Sequence, residues 1–91
     1  MNFIDVCFKS NAVGTVNTYN CETNLYGISD TYEEKLIVTF EYNNNGLYSC
    51  KYNSQVTLGE LYSINDILIN KYHDTSFLRV KVNNNYEKRK N

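Results

Sequence analysis

The sequence predicts an α+β domain dominated by β-structure, in which a curled antiparallel sheet of about five strands carries one helix on a face. Three features of the sequence lead to this fold class. Residues 35–52 alternate apolar and polar side chains around a central Asn-Gly, which is typical of a β-hairpin. Residues 57–72 repeat their apolar side chains with helical spacing. Residues 77–82 alternate again and predict a last strand.

Two strands are expected at the start of the chain. Residues 3–8 are short and apolar, and residues 12–19 are rich in β-branched side chains. Ser10 and Asn11 predict a turn between them. Gly14 inside the second segment indicates a β-bulge or the close approach of another backbone.

Residues 20–34 predict a loop of about 15 residues, because Asn, Gly, Ser and Asp interrupt every periodicity there. Loops of this length are more often functional than merely connecting. The segment is acidic, and we expect its apolar side chains to fold back on the sheet; they are Leu25, Tyr26, Ile28 and Tyr32.

The hairpin that follows is the clearest element in the sequence. Residues 35–42 and 47–52 form its strands, because both segments alternate apolar and polar side chains. Residues 43–46, Asn-Asn-Asn-Gly, supply the positive-φ positions that a tight turn requires.

The segment 57–72 decides the fold class. Thr57 and Glu60 have the spacing of a capping box, and Ser63 and Asp66 repeat a related pattern. Most of its apolar side chains fall within about 160° of a helical wheel, so periodicity favours a helix. The alternative is a strand, which would give an all-β small barrel.

The C-terminal part of the chain ends the domain. Residues 77–82 form the predicted last strand, and three asparagines at 83–85 break its alternation. Residues 86–91 form a basic polar tail. The sequence therefore predicts a single β-rich domain over residues 1–85.

Composition excludes several classes of protein. The formal net charge of −1 and pI of about 5.7 argue against a strongly basic nucleic-acid binder. No apolar run approaches the length of a membrane span, and the first residues lack the basic and apolar regions of a signal peptide, so neither membrane insertion nor secretion is expected. Fifteen Asn and nine Tyr beside no Pro or Trp fit AT-rich coding, which indicates a low-GC bacterium, or a phage or plasmid within one.

The reactive residues do not form a recognisable site. Cys7, Cys21 and Cys50 are odd in number and lack metal-ligand spacing, so we expect reduced, partly buried thiols in the cytoplasm. His73 in a predicted turn is the only histidine, and a lone turn histidine is usually solvated. We expect no catalytic residue, no metal and no cofactor.

Three blocks of sequence resemble an uncharacterised bacterial family of small β domains often found beside membrane segments. The blocks are an A-x-G-x-V strand at 12–16, a hairpin with Val38, Phe40 and Gly46, and a Y-x-x-x-D segment at 62–72. In this last block Asn65 replaces the family glycine. The resemblance implies an all-β barrel with residues 67–72 as a strand, a membrane-associated β domain as an alternative function, and no active site.

The charges are unevenly distributed along the chain. Residues 1–34 carry five acids and one base, and residues 35–91 carry five acids and eight bases, which gives −4 and +3. A nucleic-acid-binding accessory protein is therefore the alternative function, with cations tracking a phosphate backbone beside aromatic side chains. These cations are Lys71, Arg79, Lys81, Lys88, Arg89 and Lys90.

A protein partner is the first expectation. Nine tyrosines exceed what a small core buries with every hydroxyl satisfied, and exposed Tyr is enriched at interfaces. We predict a small non-enzymatic protein-binding module, an accessory or inhibitory factor of a phage or other mobile element that acts on a host protein. Self-association through an open sheet edge is a further option. The predicted contact residues are Tyr26, Asp30, Tyr32, Glu33, Glu34, Tyr48 and Tyr52.

Overall fold

A computed structural model describes residues 1–14 and 19–74 of the chain. Four strands, β1 (Phe3–Gly14), β2 (Tyr19–Ser29), β3 (Glu34–Asn43) and β4 (Gly46–Tyr52), precede one helix, α1 (Leu58–Tyr72). The strands form a single antiparallel sheet in the order β1-β2-β3-β4, and α1 packs on one face, chiefly against β1. The predicted α+β fold is confirmed, with four strands in the described part of the chain.

Helix α1 settles the open alternative for residues 57–72. Thr57 Oγ1 accepts a hydrogen bond from Glu60 N at 3.1 Å, and Glu60 Oε1 accepts one from Thr57 N at 2.9 Å. This is the predicted capping box, and the related pattern at Ser63 lies inside the helix. The all-β barrel is wrong, because 67–72 is helical and the sheet is open.

Strand β1 is longer than the sequence predicts. It runs without a turn through Ser10 and Asn11, which the sequence places between two strands. The hydroxyls of Ser10 and Thr23 are hydrogen-bonded at 2.9 Å across β1 and β2. Ser10, a residue type common in turns, therefore has a side-chain hydrogen-bond partner within the paired strands.

The predicted loop at residues 20–34 is also wrong, since β2 occupies most of it. Two apparent breakers have partners that only the folded chain provides. Asn24 Oδ1 accepts a hydrogen bond from Thr39 Oγ1 on β3 at 2.6 Å. Gly27 leaves space for the ring of Phe3, which would lie 2.5 Å from an added Cβ. A strand paired on both sides thus overrides the weak local preference of its residues.

The β3–β4 hairpin is confirmed. Asn43 ends β3, Gly46 begins β4 with φ 109°, and Asn45 N donates to Asn43 Oδ1 at 2.8 Å. A bulge in β3 makes Ile37 an extra residue opposite β2, and both Ile37 and Val38 are fully buried. The core formed by the sheet and α1 consists of Phe3, Val6, Leu25, Ile37, Val38, Phe40, Leu61, Ile64 and Leu68.

Helix α1 buries a narrower stripe than the wheel predicts. Leu61, Ile64 and Leu68 are buried, whereas Leu58 and Tyr62 on the same predicted face are exposed.

The predicted strand at 77–82 and the basic tail at 86–91 lie outside the described residues.

Candidate protein-binding surface

The turn between β2 and β3, residues 30–33, is built around a buried serine; we call it the acidic turn. Ser29 is only 4% exposed, and its Oγ accepts hydrogen bonds from Thr31 N at 3.3 Å and Glu33 N at 3.1 Å. The backbone closes the turn through Ser29 N to Glu33 O at 2.9 Å and Tyr32 N to Ser29 O at 3.0 Å. The hydroxyls of Ser29 and Thr31 are also hydrogen-bonded at 2.9 Å, so five hydrogen bonds on one residue fix the shape of the turn.

Tyr32 stands at the tip of the acidic turn. Its side chain is 81% exposed, the largest exposure among the large hydrophobic residues of the described chain. Its φ of 63° lies in the left-handed region, which costs a residue with a side chain about 1 kcal/mol or more. The hydrogen bonds of Ser29 hold this backbone conformation, which presents the Tyr32 side chain to solvent.

Two carboxylates flank Tyr32 on the acidic turn. Asp30 and Glu33 are exposed, and neither forms an ion pair with any residue of 1–14 or 19–74. The acidic turn therefore combines an exposed aromatic ring with two carboxylates that no cation in the described part of the chain neutralises.

Glu34 and Tyr26, predicted as contact residues, instead form an intramolecular cluster with Lys9. Lys9 Nζ donates to Glu34 Oε2 at 2.7 Å and lies 4.9 Å from the centre of the Tyr26 ring. The Glu34 carboxylate raises the pKa of Lys9. The Glu34 carboxylate and the face of the Tyr26 ring therefore already contact a cation within the chain.

The predicted hairpin tyrosines lie apart from the acidic turn. Strand β3 runs ten residues from the acidic turn to the hairpin turn, which separates them by about 30 Å. Tyr48 is exposed and donates from its hydroxyl to Glu41 Oε2 at 3.2 Å. Tyr52 is not an exposed hairpin residue: it is half-buried against the core, and this burial raises the pKa of its hydroxyl. The seven predicted contact residues therefore do not form one surface.

Of the six cations predicted to bind nucleic acid, only Lys71 lies within the described residues. Lys71 Nζ donates to Asp5 Oδ2 at 2.9 Å, and the hydroxyl of Tyr72 donates to Asp5 Oδ1 at 2.7 Å. These bonds, that of Lys71 first, lower the pKa of Asp5 to about 2. Lys71 is therefore neutralised by a carboxylate. Arg79, Lys81, Lys88, Arg89 and Lys90 lie outside the described residues.

The thiols and the histidine lie on different elements of the fold. Cys7, Cys21 and Cys50 form no disulfide and are half-buried on three different strands, and His73 caps the end of α1. Within residues 1–14 and 19–74, no three His, Cys, Asp or Glu side chains are grouped as metal ligands. In the same part of the chain, no helix has the length and apolar character required to span a membrane.

Sequence reasoning identified the charges of the acidic turn but missed Ser29 and Lys9. Ser29 precedes Asp30 and Thr31, a composition typical of turns that does not reveal which hydroxyl is buried. Lys9 is distant from Glu34 in sequence, so their pairing depends on the β1–β2–β3 arrangement.

Comparisons with protein-family profiles, with curated proteins and with solved structures find no match to this chain. The resemblance of three sequence blocks to a family of small β domains therefore stays an expectation. The geometry of the described residues carries the functional argument.

Proposed function

We propose that this chain is a non-enzymatic protein-binding module whose contact surface is the acidic turn with Tyr32 at its centre. In this proposal it is an accessory or inhibitory factor of a phage or other mobile element in a low-GC bacterium. Its three cysteines, which form no disulfide, fit the reducing cytoplasm of such a cell.

One observation carries the proposal: Tyr32 is almost fully exposed in a strained backbone conformation. A solvated turn gains nothing from a tyrosine at a left-handed position, where glycine or asparagine costs less. Strain of this kind persists where the surrounding structure over-determines it, and it is concentrated at functional sites. A tyrosine side chain has few rotatable bonds, so it gives a large contact area with little loss of entropy when it binds, which is how tyrosines act as anchors at interfaces.

The charges beside Tyr32 define the chemistry of the partner. Asp30 and Glu33 present two carboxylates that no cation of the described residues neutralises. The matching surface is an apolar pocket for the ring with Lys or Arg at its rim. The proposed partner is therefore a protein with a basic, concave binding site.

The proposal is tested by affinity capture from a nuclease-treated lysate of the source organism. The wild-type chain is compared with Tyr32→Gly, which removes the ring and relieves the left-handed strain, and so keeps the fold at least as stable. We expect one protein to be retained in stoichiometric amount by the wild type and lost with Tyr32→Gly.

The matched control is Tyr62→Ala, which removes another exposed tyrosine from the solvent side of α1. This variant should retain the partner as the wild type does. Capture that survives Tyr32→Gly, or that Tyr48→Ala abolishes instead, would contradict a contact at the acidic turn.

A further inference from the structure

The turn between β3 and β4 holds the one Asn-Gly pair of the sequence, Asn45 and Gly46. Both residues are exposed. Gly46 has φ 109°, and a Cβ added to it would meet no atom of the described residues within 4 Å. Glycine also changes its backbone conformation at the lowest steric cost of any residue. The turn therefore places the Asn45 carboxamide beside a backbone nitrogen that no side chain shields.

The Asn45 carboxamide takes no part in the hydrogen bonds that shape the turn. The backbone nitrogen of Asn45 donates to Asn43 Oδ1 at 2.8 Å, but the Asn45 side chain has no hydrogen-bond partner within residues 1–14 and 19–74. A register shift at Tyr42 leaves only two residue pairs between it and the turn, and Asn43 with Gly46 is the last of them. Such a ladder end opens locally at low cost, which lets Cγ of Asn45 approach Gly46 N.

Asn53 provides the contrast within the same chain. It precedes Ser54, whose small side chain also obstructs an approach of this kind very little. However, Asn53 Nδ2 donates to Leu36 O at 2.8 Å, and Asn53 Oδ1 accepts from Gln55 N at 3.1 Å. The backbone nitrogen of Asn53 donates to Ile37 O at 3.0 Å. The folded chain therefore fixes the Asn53 carboxamide, whereas it leaves that of Asn45 free to rotate.

We propose that Asn45 is a self-modification site, at which the folded chain converts its own asparagine to isoaspartate and aspartate with water as the only co-reactant. Gly46 N loses its proton to water or hydroxide and attacks Cγ of Asn45. The bond between Gly46 N and Cγ forms, and the bond between Cγ and Nδ2 breaks. Nδ2 keeps the electron pair of that bond, takes up a proton and leaves as ammonia. The product is a cyclic imide.

Water then opens the imide at one of its two carbonyl carbons. Cleavage of the bond from Cγ to Gly46 N gives aspartate, and cleavage of the bond from the main-chain carbonyl carbon to Gly46 N gives isoaspartate. Gly46 N regains a proton in both cases, so an amide and water have become a carboxylate and ammonium without oxidation or reduction. A neutral group becomes an anion, and the formal net charge changes from −1 to −2.

The modification does not depend on the proposed function. The new carboxylate lies at the hairpin end of the sheet, and β3 separates this end from the acidic turn. Isoaspartate also adds one carbon to the main chain inside a turn of two residues, which changes the geometry of the hairpin but not that of the acidic turn.

The direct test is ageing of the purified full chain in a mildly alkaline buffer, followed by peptide mass spectrometry and enzymatic methylation of isoaspartate. We expect Asn45 to be converted at least about tenfold faster than Asn53, a ratio that a barrier difference equal to one or two hydrogen bonds produces. Isoaspartate should form at position 45, because the imide opens at both carbonyl carbons. An unmodified Asn45, or an Asn53 that reacts equally fast, would overturn the proposal. Aspartate without isoaspartate would also overturn it, because direct hydrolysis of the side chain would then be the route.

Two further measurements test the chemistry and the role of the fold. Asn45→Gln keeps an exposed carboxamide in the turn but would have to close a larger ring, so isoaspartate methylation of this peptide should disappear. Ageing in urea releases Asn53 from Leu36 and Gln55, so its rate of conversion should rise toward that of Asn45. An Asn53 that remains equally slow after unfolding would show that the folded structure does not select the site.

Discussion

Glu60 joins three parts of the molecule through one carboxylate. It is only 5% exposed, and it accepts hydrogen bonds from Thr57 N at 2.9 Å and from Lys35 Nζ at 2.9 and 3.0 Å. Its Oε2 also lies 3.5 Å from the N-terminal amine of Met1. The hydrogen bond from Thr57 N, followed by the contact with Lys35, lowers the pKa of Glu60 to about 2.

Replacing Glu60 with Gln should lower the free energy of unfolding by about 1 to 2 kcal/mol at pH 7, because the amide keeps the capping bond but loses the charge that Lys35 and Met1 contact. Urea denaturation measures this loss. Glu33→Gln, on an exposed carboxylate without an ion pair among the described residues, is the control and should change the value by less than about 0.5 kcal/mol.

The same carboxylate makes stability depend on pH. The pKa values of Glu60 and Asp5 fall to about 2 in the folded chain, from 4.5 and 3.8. Because folding lowers both pKa values, their contribution is complete above about pH 5 and is lost as the pH falls toward 2. The difference between wild type and Glu60→Gln should therefore shrink over that window. A difference that stays constant down to pH 2 would show that the charge of Glu60 is not the cause.

Gly27 is needed because the ring of Phe3 packs against its backbone. An added Cβ would lie 2.5 Å from Phe3 Cδ1 and Cε1, so Gly27→Ala must push a core ring aside. We expect a loss of about 1 to 3 kcal/mol in the free energy of unfolding. Gly59→Ala is the matched control: only Thr57 Oγ1 lies near its added Cβ, at 3.9 Å, and alanine should stabilise α1 by up to about 1 kcal/mol. A neutral Gly27→Ala would contradict the packing of Phe3.

At the scale of elements, α1 depends on its first turn. Thr57→Ala removes the hydroxyl that accepts from Glu60 N and should cost about 1 kcal/mol. Ser63→Ala, one and a half turns further on, should be neutral or slightly stabilising, because Ser63 lies inside the helix. Thermal unfolding followed by far-ultraviolet circular dichroism compares the two. A larger loss for Ser63→Ala would mean that the helix starts later in the chain.

The elements that sequence alone predicts are those with local causes. The β3–β4 hairpin follows from Asn-Gly at 45–46, and α1 follows from its capping box and helical spacing, all within a few residues. Strand β2 has its causes elsewhere in the chain, in the hydrogen bond of Asn24 with Thr39 and the ring of Phe3 over Gly27. The bulge at Ile37 likewise has no signal in the neighbouring residues, because it is a shift in the register between β3 and β2.

The candidate site was predicted only in part, for the same reason. Local composition marked Asp30, Tyr32 and Glu33 as contact residues of an acidic segment, but the expectation that Tyr32 folds back on the sheet is wrong, since its side chain is 81% exposed. The sequence grouped Tyr48 and Tyr52 with them, but β3 places the hairpin turn at the other end of the sheet. The pairing of Glu34 with Lys9 depends on the order of three strands in the sheet. The alternation of apolar and polar residues along the sequence does not predict that order.

At the scale of the whole molecule, the sheet divides the surface into regions of different chemistry. One face carries α1 and the core, and the other carries the polar contacts of Lys9 with Glu34 and Lys51 with Glu41. The acidic turn lies at one end of this sheet, and no cation of residues 1–14 or 19–74 pairs with its two carboxylates. Under the proposed function, this uneven charge would orient a basic partner as it approaches.

This arrangement predicts that binding of the partner depends on ionic strength. Raising the salt concentration from 50 to 500 mM should slow association about tenfold and change dissociation much less, because screening weakens steering between separated charges. The double variant Asp30→Asn and Glu33→Gln should lose most of this dependence. Surface plasmon resonance separates the two rates, and an unchanged salt dependence in the double variant would move the electrostatic contact to another part of the surface.

The most direct measurement of the proposed function is site-specific photocrosslinking in living cells of the source organism. A photoreactive phenylalanine analogue replaces Tyr32 in one strain and Tyr62 in another, since both positions are exposed. A contact at the acidic turn predicts one discrete adduct of higher mass from position 32 and none from position 62. Adducts from position 62 alone, or none from either position while the chain is expressed and folded, would contradict it.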